Sequence, residues 1–348
     1  MMGEISIRQV DPAAERERIL AVLAANLPAA AAAERFDWLY LSNPDGPALV
    51  WLAEHETGAP VGTSAAHPRR MYVGSERMYA LNLGDFAVDR SQRSLGPALR
   101  LLRATLAPVC DRTYAFSYDF GSASMHAVYR RMRVHALGCS ERWMQPIAMR
   151  RLRRGPPGAG WLAAVAGGAV DALWHARRSI HGRVKGLRLD VLAAECGEEF
   201  DALDARVARK RRVGGVRDTT YLTWRYLRNP VWKHEILCAR ADGRLVGYAV
   251  LRFTTPDTVS IVDMQGEHIR VCRVLLSGAA RRAAAHDAAA LDVEVLAGSE
   301  TARMIKRLGF IRRESADGPV VFWPPDRPPT AELGTAKNWW LIGGDRDA

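Results

Sequence analysis

The chain carries one sequence motif twice, and this duplication restricts the fold more than any other feature. Residues 36–44 read FDWLYLSNP and residues 222–230 read LTWRYLRNP, so both stretches contain W-x-Y-L-x-N-P. The two tryptophans, Trp38 and Trp224, lie 186 residues apart. In a chain of 348 residues, a repeat at this spacing predicts two similar units of ordinary domain size.

The segments downstream of the motif also correspond. Each copy continues with a strand, a polar turn containing glycine, and a second strand that ends in Val-Gly, at Val61-Gly62 and Val246-Gly247. This pattern is typical of a β-hairpin. Each copy then shows a strand, a helix, a strand and a helix in the same order, which predicts a duplicated α/β unit.

The duplication predicts three parts: a first unit over 1–150, a linker over 151–186 and a second unit over 187–348. The linker contains an apolar stretch at 161–174 bracketed by arginines, and about 14 residues are too few to cross a bilayer. We expect a helix packed across both units. The alternative is an in-plane amphipathic helix that makes peripheral contact with anionic lipid.

Charge and cysteine usage restrict the partners and the compartment. The net charge of +11 favours polyanions such as coenzyme phosphates, nucleic acid or lipid, although a well-solvated arginine-rich surface explains it equally well. The five cysteines are scattered without a CxxC or Cys/His cluster, so we expect neither a disulfide framework nor a metal site. Without an apolar signal segment at the N-terminus, the expected location is cytoplasmic.

A strand-like run at 85–88 leads into Arg93-Ser94-Leu95-Gly96-Pro97-Ala98, which opens a leucine-rich helix. A glycine turn at a helix N-terminus can bind anions, because the first N–H groups lack partners and the helix dipole adds positive potential. Glycine also lets a phosphate approach the backbone closely. Many helices begin this way without a ligand, so the turn alone is a modest signal.

This strand, turn and helix resemble the coenzyme motif of the GNAT N-acetyltransferase superfamily, a strand followed by (Q/R)-x-x-G-x-(G/A). The resemblance covers most of residues 4–148. It implies the fold class α/β (α+β), with two GNAT-like domains, each a mixed, mostly antiparallel twisted sheet flanked by helices. It also implies acetyl-CoA or another acyl-CoA as co-substrate, and direct transfer of the acyl group to an amine.

The resemblance assigns coenzyme contacts by position. Phe86 and Val88 would contact pantetheine through their backbone, and the pyrophosphate loop would be formed by Arg93, Ser94, Leu95, Gly96 and Ala98. Two departures weaken the match. Pro97 has no N–H to donate, and Arg133-Val134 stands where the family has Gly-Phe.

Three further residues are candidates for the chemistry. Tyr129 matches the family's tyrosine that can protonate the departing thiolate, and its alternative role is to pack under the coenzyme. Asp85 is the candidate general base, and its alternative role is a structural carboxylate. His126 lies three residues before Tyr129 on nearly the same helix face, so it is either a substrate contact or an ordinary surface histidine.

The second copy departs from the motif where the chemistry is expected. No glycine turn follows TVSIVDMQGE, and Ile305 stands opposite Tyr129. We therefore expect the second unit to bind no coenzyme in the usual way and to form part of the acceptor pocket. Asp263 and Glu267 are predicted either to contact an amine or to be exposed strand-end carboxylates.

The leading functional hypothesis is an acyl-CoA-dependent N-acyltransferase acting on a small-molecule amine or on a cell-surface or secondary-metabolite precursor. An aminoacyl-tRNA-dependent transferase on the same fold is an alternative, since a basic surface suits tRNA. A non-catalytic GNAT-like binding module is another. The sequence specifies neither the acceptor nor the oligomeric state.

Overall fold

A computed structural model describes residues 4–92, 95–148, 186–208, 212–324, 326 and 332–346. The predicted linker helix at 161–174 lies outside the described residues. Arg93 and Ser94 of the predicted phosphate turn lie outside them as well.

The first sheet has nine strands among the described residues. Its main path runs β1-β2-β3-β4-β5-β15-β6, and β9 pairs with β3 while β16 pairs with β9. The strands of this sheet are β1 Ile5–Val10, β2 Leu49–His55, β3 Pro60–Val73, β4 Glu76–Val88, β5 Ser117–Asp119, β6 His135–Ala136, β9 Val213–Gly215, β15 Val320–Phe322 and β16 Trp339–Trp340.

The second sheet has seven strands in the described part of the chain, in the order β14-β7-β13-β12-β11-β10-β8. They are β7 Cys139–Pro146, β8 Leu187–Val191, β10 His234–Ala241, β11 Arg244–Thr255, β12 Thr258–Gly266, β13 Ala290–Leu296 and β14 Ile311–Asp317. Each sheet is mixed and mostly antiparallel, with β4–β5 and β12–β13 as corresponding parallel pairs. The predicted fold class and both predicted hairpins are confirmed.

Helices cover the sheets, and corresponding helices of the two copies begin in the same way. Ser122 and Ser299 each precede a helix and accept a hydrogen bond from the backbone N–H three residues later, which satisfies a donor of the first turn. The helices are α1 Arg16–Asn26, α2 Ala33–Phe36, α3 Leu95–Cys110, α4 Ala123–Arg131, α5 Glu198–Ala208, α6 Thr219–Leu222, α7 Ile269–Ala285 and α8 Glu300–Arg307.

The repeated motif packs against its own copy. The Trp38 indole N–H donates to the Trp224 carbonyl at 2.9 Å, and the Trp224 indole N–H donates to the Trp38 carbonyl at 3.1 Å. The two rings stack with their centroids 4.9 Å apart. A buried indole needs an acceptor for its N–H, and here each copy supplies the acceptor for the other. The two copies of the motif therefore join the halves of the chain through reciprocal contacts with approximate two-fold symmetry.

The two halves also exchange strands. β7 comes from the first half of the chain but lies between β13 and β14 of the second sheet. β15 comes from the second half but lies between β5 and β6 of the first sheet. The predicted boundary at residue 150 separates the two copies in the sequence, but it does not separate the strands of the two sheets.

The C-terminal segment connects the same two sheets. Trp339–Trp340 forms β16, which pairs with β9 at the edge of the first sheet. Ile342 then forms a bridge to Val295 of the second sheet. The C-terminal segment thus adds a strand to the first sheet and a bridge to the second.

Candidate active site

The first sheet opens between its two parallel strands. β4 and β5 pair only through Leu81 with Ser117 and Asn82 with Tyr118. β4 then continues for six more residues, 83–88, with β3 on one side and, within the described residues, no strand on the other. A cavity of about 450 Å³ lies along this open edge, covered by the segment between α1 and α2.

Three of the predicted site residues line this cavity: Asp85, Phe86 and Tyr129. The others lie around it. Val88 is buried in the apolar core beneath the strand, and Ala98 packs against that same core. His126 is buried rather than on the surface, with its ring beside Tyr129 at a centroid distance of 6.1 Å, and its Nε2 makes no hydrogen bond to the described residues.

The predicted phosphate turn is described only from its helix onward. α3 begins at Leu95, so the N–H groups of Leu95 and Gly96 belong to the first turn and lack a carbonyl one turn earlier. Gly96 is exposed, and a Cβ there would meet nothing within 4 Å. Pro97 follows as the third helical residue and contributes no N–H. The space beside Gly96 at this helix start is therefore open with respect to the described residues.

Tyr129 reaches the cavity in contact with a carboxylate that the sequence analysis did not single out. Its buried hydroxyl donates a short hydrogen bond to Oδ2 of Asp119, the last residue of β5. Gly121 permits this approach, since a Cβ there would lie 3.0 Å from the Tyr129 ring and 3.1 Å from Asp119 Oδ2. The weak signal for Asp119 was its position at the carboxyl end of the strand parallel to β4, where functional side chains often lie.

Asp85 lies at a bulge of β4, in the left-handed region with φ of 49°. The guanidinium of Arg35 donates to both carboxylate oxygens, at 2.8 and 3.1 Å, and the Tyr40 hydroxyl donates to Oδ2 at 2.7 Å. All three residues are buried. These donors fill three of the roughly four acceptor positions of the Asp85 carboxylate.

The second copy contains the same cluster. Arg217 Nε donates to both oxygens of Asp263 at 2.9 and 3.0 Å, and the Tyr226 hydroxyl donates to Oδ2 at 3.0 Å. Tyr226 occupies the position in the repeated motif that Tyr40 occupies in the first copy. Asp263 is only 1% exposed, so the prediction of an exposed strand-end carboxylate is wrong for it. Glu267 is half-buried and is paired with Arg206 and Arg244.

The corresponding opening of the second sheet is filled by the chain itself. β12 and β13 pair from Thr258–Ala290 to Ile261–Val293. β12 then continues to Gly266 with β11 on one side and without β13 on the other. A turn at Gly343–Asp345 packs on this free length, where a Cβ on Gly344 would lie 2.6 Å from the Val262 carbonyl oxygen. The Asp345 carboxylate accepts two bonds from Arg217, at 2.7 and 2.9 Å. The strand edge that is open in the first half is thus occupied in the second.

Two further properties of the described residues bear on the chemistry. No group of three His, Cys, Asp or Glu side chains among them is arranged to hold a metal ion. No helix in the described ranges has the length and apolar character needed to cross a membrane.

Comparison with solved structures identifies the class of fold. The chain has the two-sheet fold of GCN5-related N-acetyltransferases. One such protein, from Anabaena variabilis, matches with a TM-score of 0.65 at 12% identity, over 91% of this chain and 72% of that one. A probable N-acyltransferase of unknown function from Enterococcus faecalis matches with a TM-score of 0.64 at 13% identity, over the same shares of the two chains.

Saccharomyces cerevisiae N-myristoyltransferase with bound myristoyl-CoA is also similar. Its TM-score is 0.56 at 13% identity, over 92% of this chain and 79% of that one. No family model matches the sequence, and no curated protein matches it. At these identities the likeness establishes the fold, and the activity has to be argued from the site.

Proposed function

We propose that the protein is an acyl-CoA-dependent N-acyltransferase that uses the cavity of the first half to transfer an acyl group to the amine of a small molecule. One observation supports this most strongly. The first half keeps an open strand edge beside a cavity with Tyr129 and Asp119 in its wall, while the second half fills the equivalent edge. The solved structures with this fold include N-acetyltransferases and an N-myristoyltransferase with its acyl-CoA bound.

The residues present suit a thioester donor. The free backbone edge of β4 around Phe86 can pair with the amides of a pantetheine arm as a further strand would. The first-turn N–H groups of Leu95 and Gly96 suit its phosphates, and the open space at Gly96 leaves room for them. The missing N–H of Pro97 weakens this anion site but does not obstruct it.

We assign proton transfer to the Tyr129 end of the cavity. Transfer of an acyl group from a thioester to an amine forms a C–N bond and breaks the C–S bond. The amine nitrogen loses one proton and the departing thiolate takes up one, so the proton count balances. Tyr129 is the proton donor in the cavity wall: its bond to Asp119 holds the hydroxyl there, and the hydroxyl turns from that carboxylate to the thiolate when it donates. Asp119 is thus a positioning residue for Tyr129.

Asp85 is better explained as part of the fold than as the general base. Its cluster with Arg35 and Tyr40 recurs as Asp263 with Arg217 and Tyr226, beside a strand edge on which the Gly343–Asp345 turn packs. Both copies contain this cluster, but only the first copy has the open strand edge. The cluster therefore serves the fold, which the two copies share.

The decisive experiment is calorimetric titration of acetyl-CoA and of myristoyl-CoA into the wild type and Gly96→Glu. We expect the wild type to bind at least one of them and the variant to bind it tenfold or more weakly, because the new carboxylate lies where phosphates are proposed to bind. A glutamate in the first turn favours the helix, so misfolding does not account for such a loss.

Gly197→Glu is the matched control, an exposed glycine with open space just before α5 of the second half. The affinity of Gly197→Glu for acyl-CoA should equal that of the wild type. Absence of binding to the wild type, or equal affinity in Gly96→Glu, would contradict the proposal. Tight, salt-dependent binding of tRNA without acyl-CoA binding would favour the aminoacyl-tRNA-dependent alternative.

A further inference from the structure

A second cavity, of about 330 Å³, lies in the second half and is unusually rich in arginine. Four arginines line it, together with the two carboxylates Asp292 and Glu294. The arginines are Arg142, Arg225, Arg252 and Arg346. The cavity therefore holds two more positive than negative side chains.

Each of the two carboxylates is already paired with an arginine. Asp292 pairs with Arg142 at 2.5 Å, and Glu294 pairs with Arg346. Arg225 and Arg252 are thus the surplus cations of the cavity, and neither forms an ion pair with any of the described residues.

The bonds that these two arginines make are to neutral groups. Arg225, only 6% exposed, donates to the backbone carbonyl of Arg346 at 2.5 Å. Arg252 donates to the Thr254 hydroxyl at 3.3 Å, and its guanidinium lies 5.1 Å from the centre of the Trp232 ring. Burial, assisted by the nearby charge of Arg225, lowers the pKa of Arg252. Arg225 is buried and Arg252 is half-buried, so two unpaired guanidinium groups here are costly, and an anion between them relieves that cost.

We infer that this cavity is a binding site for an oxyanion, the phosphate or carboxylate group of a small ligand, separate from the acyl-donor cavity. Guanidinium groups bind both kinds of oxyanion through paired N–H donors. Ser260 adds a hydroxyl to the cavity wall, directly across the strand pair from Arg252. Trp232 offers an aromatic face for the body of the ligand beside its charged group.

The test is calorimetric titration of inorganic phosphate, glycerol 3-phosphate and acetate at low, matched ionic strength. We expect saturable binding of a phosphate or a carboxylate probe to the wild type and a roughly tenfold or greater loss of affinity in Arg252→Gln, since a charge-assisted contact is removed. Binding of the phosphates alone would assign a phosphate ligand, whereas binding of acetate as well would assign a carboxylate-tolerant site. The control, Arg303→Gln, removes an equal charge from an exposed helix position and should bind as the wild type does.

Ser260→Asp is a second variant that keeps every arginine, so its effect does not come from removing an arginine from the fold. It places a carboxylate opposite Arg252. It should abolish oxyanion binding and leave the unfolding temperature at or above that of the wild type. Acetyl-CoA affinity should be unchanged in Arg252→Gln, whatever the outcome for Gly96→Glu. Absence of oxyanion binding to the wild type, equal binding by Arg252→Gln, or a parallel loss of acetyl-CoA affinity would overturn the inference.

Discussion

The sharpest prediction concerns the role of Asp85, and the test is Asp85→Asn. Asparagine tolerates the left-handed conformation that Asp85 adopts at φ of 49°, so the substitution leaves the backbone unstrained. It replaces one carboxylate oxygen by an NH₂ group, which then faces an N–H of Arg35 whichever oxygen it replaces. Two donors meet, and the bidentate ion pair with Arg35 is lost.

The magnitude follows from the burial of this pair. The side chains of Arg35 and Asp85 are only 4% and 5% exposed, so water replaces little of the lost contacts. Breaking a buried ion pair from one side costs about 3–5 kcal/mol of unfolding free energy. Asp263→Asn should cost a similar amount, because Arg217 and Tyr226 hold Asp263 in the same way.

Urea unfolding followed by tryptophan fluorescence measures this difference, and Asp242→Asn is the matched control. Asp242 also has φ of 49°, but it lies exposed in the β10–β11 turn, so its substitution should change the unfolding free energy by less than about 0.5 kcal/mol. If Asp85→Asn is as stable as the wild type while its turnover falls a hundredfold, the structural assignment is refuted and the general-base role is supported.

Two further predictions follow from the site and the core. Tyr129→Phe should lower thiol release from acetyl-CoA with a panel of primary amines by roughly 10²–10⁴-fold, with little change in acetyl-CoA affinity, and unchanged turnover would remove Tyr129 from the mechanism. Burial lowers the pKa of His67 to about 4, so the unfolded chain takes up its proton first as the pH falls below about 6.5. The contribution of His67 to the free energy of unfolding should therefore fall by up to about 3 kcal/mol between pH 6.5 and 4. His67→Leu should reduce this pH dependence, and an unaltered profile would contradict the assignment.

The sequence predicted those features that arise from local patterns. The repeat, the hairpins and the alternation of strands and helices depend on periodicity and turn residues, which a single sequence displays. The resemblance to the GNAT coenzyme motif, rather than periodicity, implied Phe86 and Tyr129, which lie in the cavity wall, and Gly96, which lies in the first turn of α3. The second copy's lack of a glycine turn also pointed to the first half as the place of the opening.

Other features depended on contacts between residues far apart in the chain. Nothing local indicates that β7 joins the second sheet or that β15 joins the first, because edge-strand pairing depends on which surfaces the whole fold brings together. The burial of Asp263 and His126 was missed for the same reason. Asp119 was missed because a three-residue strand carries too little pattern to show which face its last side chain occupies.

The sequence by itself therefore determined that the chain folds as two related α/β units and that only one retains the turn typical of a coenzyme site. The tertiary structure decided how those units differ chemically. It ties Asp85 into a buried ion pair, sets Asp119 against Tyr129, fills the second opening with Gly343–Asp345 and leaves Arg225 and Arg252 without carboxylate partners among the described residues. Each of these features depends on which charged groups the fold buries next to one another. Burial is a property of the assembled fold rather than of any local segment.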